Sequence, residues 1–217
     1  MAKTILGIDE AGRGPVIGSL FIAGTMFDEK DVKKLKELDV KDSKLVPHKK
    51  RLVLDVEIQK IAKVKVIEIT PKEIDDAVDG DNELNLNWLE AEKTIEIINE
   101  LKPDTAIIDC PSVNTEKYEE YIRERLKVKV NLIVENKADE NYIECAAASI
   151  IAKVARENQV EELKKKYGDI GPGYPSNSTT QQFLKENYNK HPEIFRKSWS
   201  TYKKVVINKK QKNLGEF

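Results

Sequence analysis

Three apolar, β-branched segments of this 217-residue chain each lead toward an aspartate. The pairs are Thr4–Ile8 before Asp9, Thr105–Ile108 before Asp109, and Val128–Val134 a short gap before Asp139. Segments of this composition are typical of β-strands. Ligand sites in open α/β sheets gather at the carboxyl ends of strands. If the first two strands are parallel neighbours, Asp9 and Asp109 therefore lie side by side.

Helical patterns alternate with these strands and fix the expected fold class. Two further strands are predicted at Leu20–Phe27 and Val64–Thr70. Helices are predicted from Pro47 through Ile58, over Glu83–Leu101, over Glu116–Leu126 and from about Glu140 to Lys166. This alternation predicts an α/β fold with a mixed sheet flanked by helices. The small residues Ala146–Ser149 favour close approach of the longest helix to the sheet, and Ser149 is interpreted as a packing residue.

The predicted acid cluster calls for a cation. Two carboxylates about 4 Å apart repel by roughly 4 kcal/mol at an effective dielectric near 20. Oxygen ligands without nearby His or Cys suit Mg²⁺ or Mn²⁺, and a pair of such ions can assist phosphodiester cleavage. Each acid also has a structural interpretation, because Asp is common in turns and Asp139 is placed to act as a helix N-cap.

The stretch GIDEAGRGP at Gly7–Pro15 adds Glu10 and Arg13 to the first aspartate. Neighbouring strand residues point to opposite faces, so Asp9 and Glu10 share a metal only if the chain bends there. Gly12 and Gly14 allow close backbone approach to a ligand, and Arg13 can grip a phosphate. A dinucleotide-binding turn is excluded, because the glycines are spaced G-x-G-x-x-x-G and acids precede them.

Charge is distributed unevenly along the chain. From Phe195 onward there are seven Lys and Arg and one Glu, so this segment carries +6 and leaves −7 for the rest of a chain whose net charge is −1. A polyanion-binding arm and a solvated basic end are both consistent with that pattern. Trp199 and Tyr202 within it either stack on bases or anchor the last helix to the core.

Other sequence features bear on location. Cys110 and Cys145 form no C-x-x-C pair and are interpreted as small buried residues in a reducing compartment. No signal peptide and no apolar run near the roughly 18 residues of a membrane span are found. We therefore expect a cytoplasmic protein that does not enter a membrane.

Taken together, these motifs resemble ribonuclease HII, the type 2 ribonuclease H. The matching blocks, which keep the family's order, are DEAGRGPVIG at 9–18, DSK at 42–44, the Asp109 strand, KADENYIECAAASIIAKVARE at 137–157, GPGYPS at 171–176 and RKSW at 196–199. Three positions depart from the pattern, namely Ser19, Leu45 and Asn177. They bear on substrate affinity more than on chemistry.

The resemblance implies a ribonuclease H-like mixed sheet with a small helical C-terminal extension. It implies metal-assisted cutting of RNA in RNA–DNA hybrids and of DNA 5′ of a single embedded ribonucleotide, leaving 3′-hydroxyl and 5′-phosphate ends. The implied metal-binding catalytic acids are Asp9, Glu10, Asp109 and Asp139. The implied substrate-binding residues are Gly12, Arg13 and Gly14 at the 2′-hydroxyl and adjacent phosphate, Tyr174 on the next sugar, Ser43 and Lys44 on flanking phosphates, and Arg196 and Lys197.

The same resemblance suggests an organisation and partners. Residues 1–170 are expected to form the catalytic domain, and residues 171–217 a basic helical extension packed on it. The protein is expected to act as a monomer on RNA–DNA hybrid or ribonucleotide-containing duplex DNA. The terminal Gln211–Phe217 (QKNLGEF) ends in an aromatic and is one candidate for a peptide that docks a sliding clamp.

Two rival hypotheses stay open at this point. A non-catalytic hybrid-binding module would bind duplex through Arg13, Lys44 and the basic tail, but a binder of polyanions gains nothing from four clustered acids. A different metal nuclease of the same superfamily, such as a junction resolvase, would more often be a dimer.

Overall fold

The computed structural model describes residues 3–40, 43, 46–80 and 84–214, with side chains to residue 208. The strands are β1 Thr4–Ala11, β2 Leu20–Asp28, β3 Lys63–Ile69, β4 Thr105–Asp109 and β5 Asn131–Glu135. The helices are α1 Val32–Glu37, α2 His48–Ile61, α3 Pro71–Asp79, α4 Leu86–Leu101, α5 Thr115–Arg125, α6 Ala138–Asn141, α7 Ile143–Tyr167, α8 Ser178–Asn187 and α9 Ser200–Leu214. None of these helices combines the length and apolarity that a bilayer crossing requires.

The strands form one mixed sheet in the order β3-β2-β1-β4-β5. β1 pairs antiparallel with β2 and parallel with β4, and β4 pairs parallel with β5. In the β1–β4 register Ile8 lies opposite Ile108. The next residue of each strand is an aspartate, so Asp9 and Asp109 lie on adjacent strands at the same level of the sheet. The predicted α/β class is therefore confirmed, and the parallel adjacency on which the pairing of Asp9 with Asp109 was conditional is present.

Contacts divide the chain into two compact units. The first contains Met1–Ala11, Phe21–Glu68 and Asn87–Ala155, and the second contains Gly12–Leu20, Ile69–Leu86 and Arg156–Phe217. These units interleave along the sequence, whereas the predicted division at residue 170 follows the linear chain. That predicted division stays a proposal about functional domains.

Glycines at two strand positions let helices approach both faces of the sheet in the first unit. A Cβ at Gly7 would lie 2.2 Å from the backbone carbonyl of Glu144 in α7, and a Cβ at Gly24 would lie 2.5 Å from Ile97 in α4. Gly7 is paired with Thr25, the residue after Gly24, so the two glycines face opposite sides of the sheet. α7 also contributes Ala146 and other small buried residues to the core on its side, as the sequence predicts.

The second unit has its own apolar core. Its buried members are Val16, Ile17, Val160, Ile170, Phe183, Leu184, Ile194 and Phe195. Partly buried Trp199 and Tyr202 pack against this cluster, which confirms that they anchor the last helix. An isolated β-bridge between Ile17 and Phe195 joins the segment after the glycine turn to the segment before α9.

Element boundaries differ from the predicted ones in two places that affect the site. β1 continues past Ile8, because its ladder with β2 runs to the pair Ala11–Phe21. The helix predicted from Glu140 is two helices, α6 and α7, and the N-cap residue of α6 is Lys137. The interpretation of Asp139 as an N-cap is therefore wrong. The predicted helix start at Glu83 lies outside the described residues.

Candidate active site

Three of the four predicted acids converge at the carboxyl ends of the parallel strands. Carboxylate oxygens of Asp9, Asp109 and Asp139 all lie within 4.8 Å of one another. Asp9 and Asp139 are buried, and Asp109 is half-buried. All three belong to the first unit, in which β1 and β4 bring the first two together and α6 supplies the third.

Backbone contacts fix Asp109 and Asp139 relative to each other. Asp109 Oδ1 accepts a hydrogen bond of 3.1 Å from the backbone N–H of Ala138, the residue before Asp139. Lys137 adopts a left-handed conformation with φ of 60° and thereby turns the chain from β5 into α6. The side chain of Asn136 donates to the carbonyl oxygen of Cys110 at 2.7 Å. The loops that follow β4 and β5 are therefore tied together.

Glu10 stands apart from the group of three. β1 stays regularly paired through Asp9 and Glu10, so the bend that would turn both side chains to one face is absent there. Asp9 contacts Ser149 of α7, whereas the charge of Glu10 acts on Tyr118 of α5. Its carboxylate is still close enough to Asp9 to influence that group's pKa. Glu10 as a fourth metal ligand stays a prediction.

The electrostatics of Asp9 favour a bound cation. Burial raises the pKa of Asp9 well above its ordinary value, and the negative charges of Glu10 and Asp109 raise it further. Hydrogen bonds from the Ser149 side chain and the Glu10 backbone N–H act in the opposite direction. Three carboxylate oxygens at this spacing form a hard donor set that suits Mg²⁺ or Mn²⁺. The residues present therefore fit a divalent cation.

The glycine turn that follows β1 is held from behind by Arg196. This side chain is fully buried, and its guanidinium donates to the carbonyl oxygens of Gly18 at 2.9 Å, Arg13 at 2.9 Å and Gly12 at 2.6 Å. Trp199 Nε1 donates to the carbonyl of Gly14 at 3.2 Å. The RKSW motif therefore supports the turn from within the second unit, and a direct substrate contact is no longer assigned to Arg196.

This support orients the peptide groups of the turn. A trans peptide holds its N–H antiparallel to its C=O, and the described chain has no cis peptide. Because the carbonyls of Gly12 and Arg13 point at Arg196, the N–H groups of Arg13 and Gly14 point away from it. Gly12 has φ of +95°, and a Cβ there would lie 2.9 Å from the carbonyl oxygen of Ser19, so any other residue would be strained at this position.

Tyr174 lies beside the same turn. An ideal Cβ on Gly14 would lie 3.7 Å from the Tyr174 ring, and the residue is 41% exposed. Arg156 sits 5.0 Å from the ring centroid and donates to the carbonyl of Pro172 at 2.6 Å. Gly14 and Tyr174 therefore form one partly exposed surface in the second unit, with Arg156 behind it.

Other predicted residues are placed differently. Ser43 is completely buried within the first unit, which leaves its side chain no access to a flanking phosphate. Lys44 lies outside the described residues. Lys197 is exposed, although its backbone N–H donates to Asp75 at 2.9 Å. In the basic tail Lys203 pairs with Asp79 at 2.8 Å.

Two departures from the family pattern have structural uses that the sequence does not reveal. The Ser19 hydroxyl accepts a hydrogen bond of 2.7 Å from the amide of Gln159, whose oxygen accepts from the Ser19 N–H at 2.9 Å. Asn177 caps α8 by accepting from the N–H of Thr180 at 3.0 Å. Both replacements therefore stabilise local structure in the second unit. Leu45, the third departure, lies outside the described residues.

Comparisons with known proteins agree with this arrangement. The family model described as Ribonuclease HII matches residues 6–202. Ribonuclease HII of Thermococcus onnurineus (strain NA1) is 43% identical over 207 residues, covering 93% of this chain and 89% of the relative. The Pyrococcus furiosus enzyme is 42% identical over 213 residues, covering 95% and 92%.

The chain belongs to the ribonuclease HII family. It is therefore a ribonuclease H hydrolase, of a family that cleaves RNA in RNA–DNA hybrids.

Solved structures confirm the ribonuclease H-like fold. The crystal structure of ribonuclease H2 from Pyrococcus horikoshii OT3 has a TM-score of 0.87 and 39% identity, covering 94% of this chain and 98% of that one. RNase HII in the PCNA:RNase HII complex from Archaeoglobus fulgidus gives 0.79 and 39%, covering 91% and 95%. Bst-RNase HIII in complex with Mn²⁺, at 19% identity and a TM-score of 0.78, shares the fold.

Replacing Asp9 with Asn is expected to stabilise the metal-free protein at pH 7. Carboxylates 4.8 Å apart repel by about 3 kcal/mol at an effective dielectric near 20, so the free energy of unfolding should rise by roughly 1–3 kcal/mol. Because the pKa of Asp9 is raised, its contribution to stability is present below the ordinary aspartate pKa and is lost as pH rises through the raised value. The advantage of Asn should shrink as the pH falls.

Urea unfolding in chelator between pH 5 and 8 measures this effect. Asp104→Asn is the matched control, for which the change in stability should have the opposite sign. Hydrogen bonds from the Thr4 N–H and hydroxyl lower the pKa of Asp104, so its ionised form is stabilised in the folded protein. That variant should lose stability at pH 7. Finding Asp9→Asn less stable than the wild type in chelator at pH 7 would contradict the electrostatic account.

Arg196→Met is expected to destabilise the protein by on the order of 3 kcal/mol or more, because three carbonyls lose a charged donor. Arg196→Lys should fall in between, since one ammonium cannot reproduce the planar fork. Lys197→Met, on the exposed neighbouring side chain, should change stability by no more than about 0.5 kcal/mol. Denaturant midpoints measure all three. Equal midpoints for Arg196→Met and Lys197→Met would refute the support role.

Proposed function

We propose that this chain is a divalent-metal-dependent endoribonuclease that cuts the RNA strand of hybrids and incises duplex DNA 5′ of a single embedded ribonucleotide. The convergence of Asp9, Asp109 and Asp139 at one sheet edge carries this proposal. A module that only binds polyanions has no use for three clustered carboxylates, two of them buried. The products are a 3′-hydroxyl and a 5′-phosphate.

The acids have the role of holding the cation. Asp9, Asp109 and Asp139 would bind it, and Glu10 is proposed to complete the ligand set. When bound, Mg²⁺ or Mn²⁺ supplies an activated water and stabilises charge on the phosphate and leaving oxygen. The protein's own contribution is rigid placement of the carboxylates, since Asp109 is fixed by the Ala138 N–H and Asp9 by the Glu10 N–H.

The glycine turn is proposed to read the ribose. The 2′-hydroxyl is the group that separates RNA from DNA at a given site. The N–H groups of Arg13 and Gly14, which point away from Arg196, are suited to contact that hydroxyl and the adjacent phosphate. The turn starts three residues after Asp9 in the sequence.

Tyr174 is proposed to pack on the sugar of the following deoxynucleotide. Its ring is partly exposed beside Gly14, and a sugar without a 2′-hydroxyl offers an apolar face to an aromatic ring. Together the turn and Tyr174 would recognise an RNA-to-DNA junction. Such contacts involve sugar and phosphate rather than base edges, so cleavage would not depend on base sequence.

The remaining proposals concern residues that contact the phosphate backbone of the duplex and the compartment in which the protein acts. Exposed Lys197 and the undescribed Lys44 are proposed to contact phosphates, and Arg13 to grip the phosphate nearest the ribose. We propose a monomer that acts in the cytoplasm during ribonucleotide removal from DNA.

Cleavage of a labelled DNA duplex with one ribonucleotide tests the proposal. With Mg²⁺ or Mn²⁺ we expect one cut on the 5′ side of the ribonucleotide, and none with chelator or on all-DNA duplex. Asp9→Asn and Asp109→Asn should lower kcat by at least about 10³-fold with duplex binding retained, because the cation is no longer held. Asp104→Asn, which changes an exposed carboxylate just before β4 at the end opposite Asp109, should cut normally.

The outcomes separate the hypotheses. Tight binding of the duplex without cleavage in the presence of either Mg²⁺ or Mn²⁺ would support the hypothesis of a non-catalytic binding module. Wild-type turnover by Asp9→Asn or Asp109→Asn would refute the assignment of the acids.

We also propose that the C-terminal peptide docks a sliding clamp. The Archaeoglobus fulgidus relative was solved in a PCNA:RNase HII complex. Of the predicted Gln211–Phe217 peptide, residues 211–214 end α9, and residues 215–217 lie outside the described residues.

Binding of the full-length protein to the source organism's clamp, measured by calorimetry, tests this docking. Phe217→Ala should weaken clamp affinity by about tenfold or more, as expected for an aromatic anchor in a pocket. Its cleavage of free duplex should be unchanged. If Phe217→Ala bound the clamp with unchanged affinity, the proposal that this peptide docks the clamp would be refuted.

A further inference from the structure

We infer that a buried hydrogen-bonded series, running from Lys153 through Ser43 and Ser149 to Asp9, positions the Asp9 carboxylate for metal binding. This inference rests on the proposed function of Asp9 and assigns new positioning roles to three residues. It replaces two sequence interpretations, that of Ser149 as packing and that of Ser43 as a phosphate contact.

The series lies inside the first unit and is almost closed to solvent at its Asp9 end. Ser43, Ser149 and Asp9 are 0%, 1% and 5% exposed. The Ser149 side chain hydrogen-bonds to Asp9. The hydroxyl oxygens of Ser43 and Ser149 are 2.7 Å apart, and Lys153 Nζ contacts the Ser43 hydroxyl. The Ser43 hydroxyl is thus within hydrogen-bond reach of both Ser149 and Lys153.

The chemistry of the groups fixes the direction of every bond. An ionised carboxylate only accepts, so Ser149 spends its one hydroxyl proton on Asp9. Ser149 Oγ must then accept from Ser43, and the Ser43 oxygen accepts from Lys153, because an ammonium only donates. The series therefore has one polarity, with the positive charge at one end and the carboxylate at the other. The charges of Lys153 and Asp9 strengthen the hydrogen bonds between the two hydroxyls that separate them.

The fold holds both sides of the series. Ser149 and Lys153 are four residues apart in α7, so they lie on one face of that helix. Ser43 comes from a different segment, and Arg51 of α2 donates to its carbonyl oxygen at 3.3 Å and to that of Val46 at 2.6 Å. The two hydroxyls therefore meet because two separately anchored segments converge.

Such an arrangement has a function beyond packing. Apolar residues would fill the same volume without burying two hydroxyls. Asp9 Oδ1 already accepts from its neighbour's backbone N–H at 2.7 Å, and Ser149 gives the carboxylate a second fixed donor. Two donors restrict the rotation of the carboxylate, one oxygen of which lies within 4.8 Å of oxygens of Asp109 and Asp139. Groups that orient a metal ligand in this way typically change metal affinity or activity by 10–100-fold when removed.

Calorimetric titration of chelator-stripped protein with Mn²⁺ alone tests the inference. Ser149→Ala should raise the Mn²⁺ Kd by about 10–100-fold, while Ser43→Ala and Lys153→Met should raise it by less. The matched control is Thr25→Val, which removes another fully buried hydroxyl of the same unit, bonded to the Glu144 carbonyl at 3.1 Å. Its Kd should equal the wild-type value. Circular dichroism confirms that each variant is folded.

A double-mutant comparison separates transmission through Ser149 from independent effects. If Lys153 acts on Asp9 through the series, Lys153→Met should raise the Kd of the Ser149→Ala protein by less than about twofold. In the wild-type background its effect should be larger. On hybrid substrate at subsaturating Mn²⁺, Ser149→Ala should lower kcat with little change in KM, because the duplex contacts are intact.

The outcomes distinguish this inference from the proposed function. Wild-type Mn²⁺ affinity in Ser149→Ala, or an equal effect of Lys153→Met in both backgrounds, would overturn the positioning role while leaving the metal site intact. If the wild type binds no Mn²⁺, or Asp9→Asn binds it equally well, the proposed metal site itself falls and the inference falls with it.

Discussion

The parallel pairing of β1 with β4 is the constraint on which the acid site depends. That pairing sets Ile8 opposite Ile108, so two aspartates leave adjacent strands at the same edge of the sheet. Sheet hydrogen bonds do not allow them to separate. Burial, together with the negative charges of Glu10 and Asp109, raises the pKa of Asp9, and a cation would relieve this repulsion. A fold selected for stability alone would have placed an apolar or neutral residue there.

Close approach of α7 to β1 is the second requirement. It is possible because position 7 carries no side chain, since a Cβ would overlap the Glu144 backbone at 2.2 Å. The same approach brings the buried face of α7, with Ser149, against the strand that carries Asp9. One glycine thus connects the packing of the core with the environment of the Asp9 carboxylate. Substitutions at Gly7 would act on chemistry as well as on stability.

The sequence predicted the features that follow from local pattern. The strands and the α/β class were predictable because periodicity and composition are local signals. The parallel pairing of β1 with β4 was only a condition of the prediction, because it joins Ile8 to the distant Ile108. The extension of β1 to Ala11 was not, because it depends on pairing with β2. Ser43 and Ser149 are 106 residues apart, and no local sequence pattern predicts their contact.

The sequence places Arg196 in a basic arm, because counting charges does not reveal that a side chain is buried. The spacing of Ser149 and Lys153 by four residues was the available signal for one helix face.

Asp9 and Arg196 show how two buried charges can serve opposite purposes. The guanidinium of Arg196 is satisfied within the protein by three carbonyls, so it fixes a backbone shape and needs no ligand. In the described part of the chain, Asp9 accepts from a hydroxyl and a backbone N–H, both neutral, and the charges of Glu10 and Asp109 raise its pKa. Neutral donors orient a carboxylate without neutralising it. Within the hydrogen-bonded series, the positive charge of Lys153 is separated from Asp9 by the hydroxyls of Ser43 and Ser149. The donors therefore orient the Asp9 carboxylate without neutralising its charge, which leaves a preformed anionic site suited to a divalent cation.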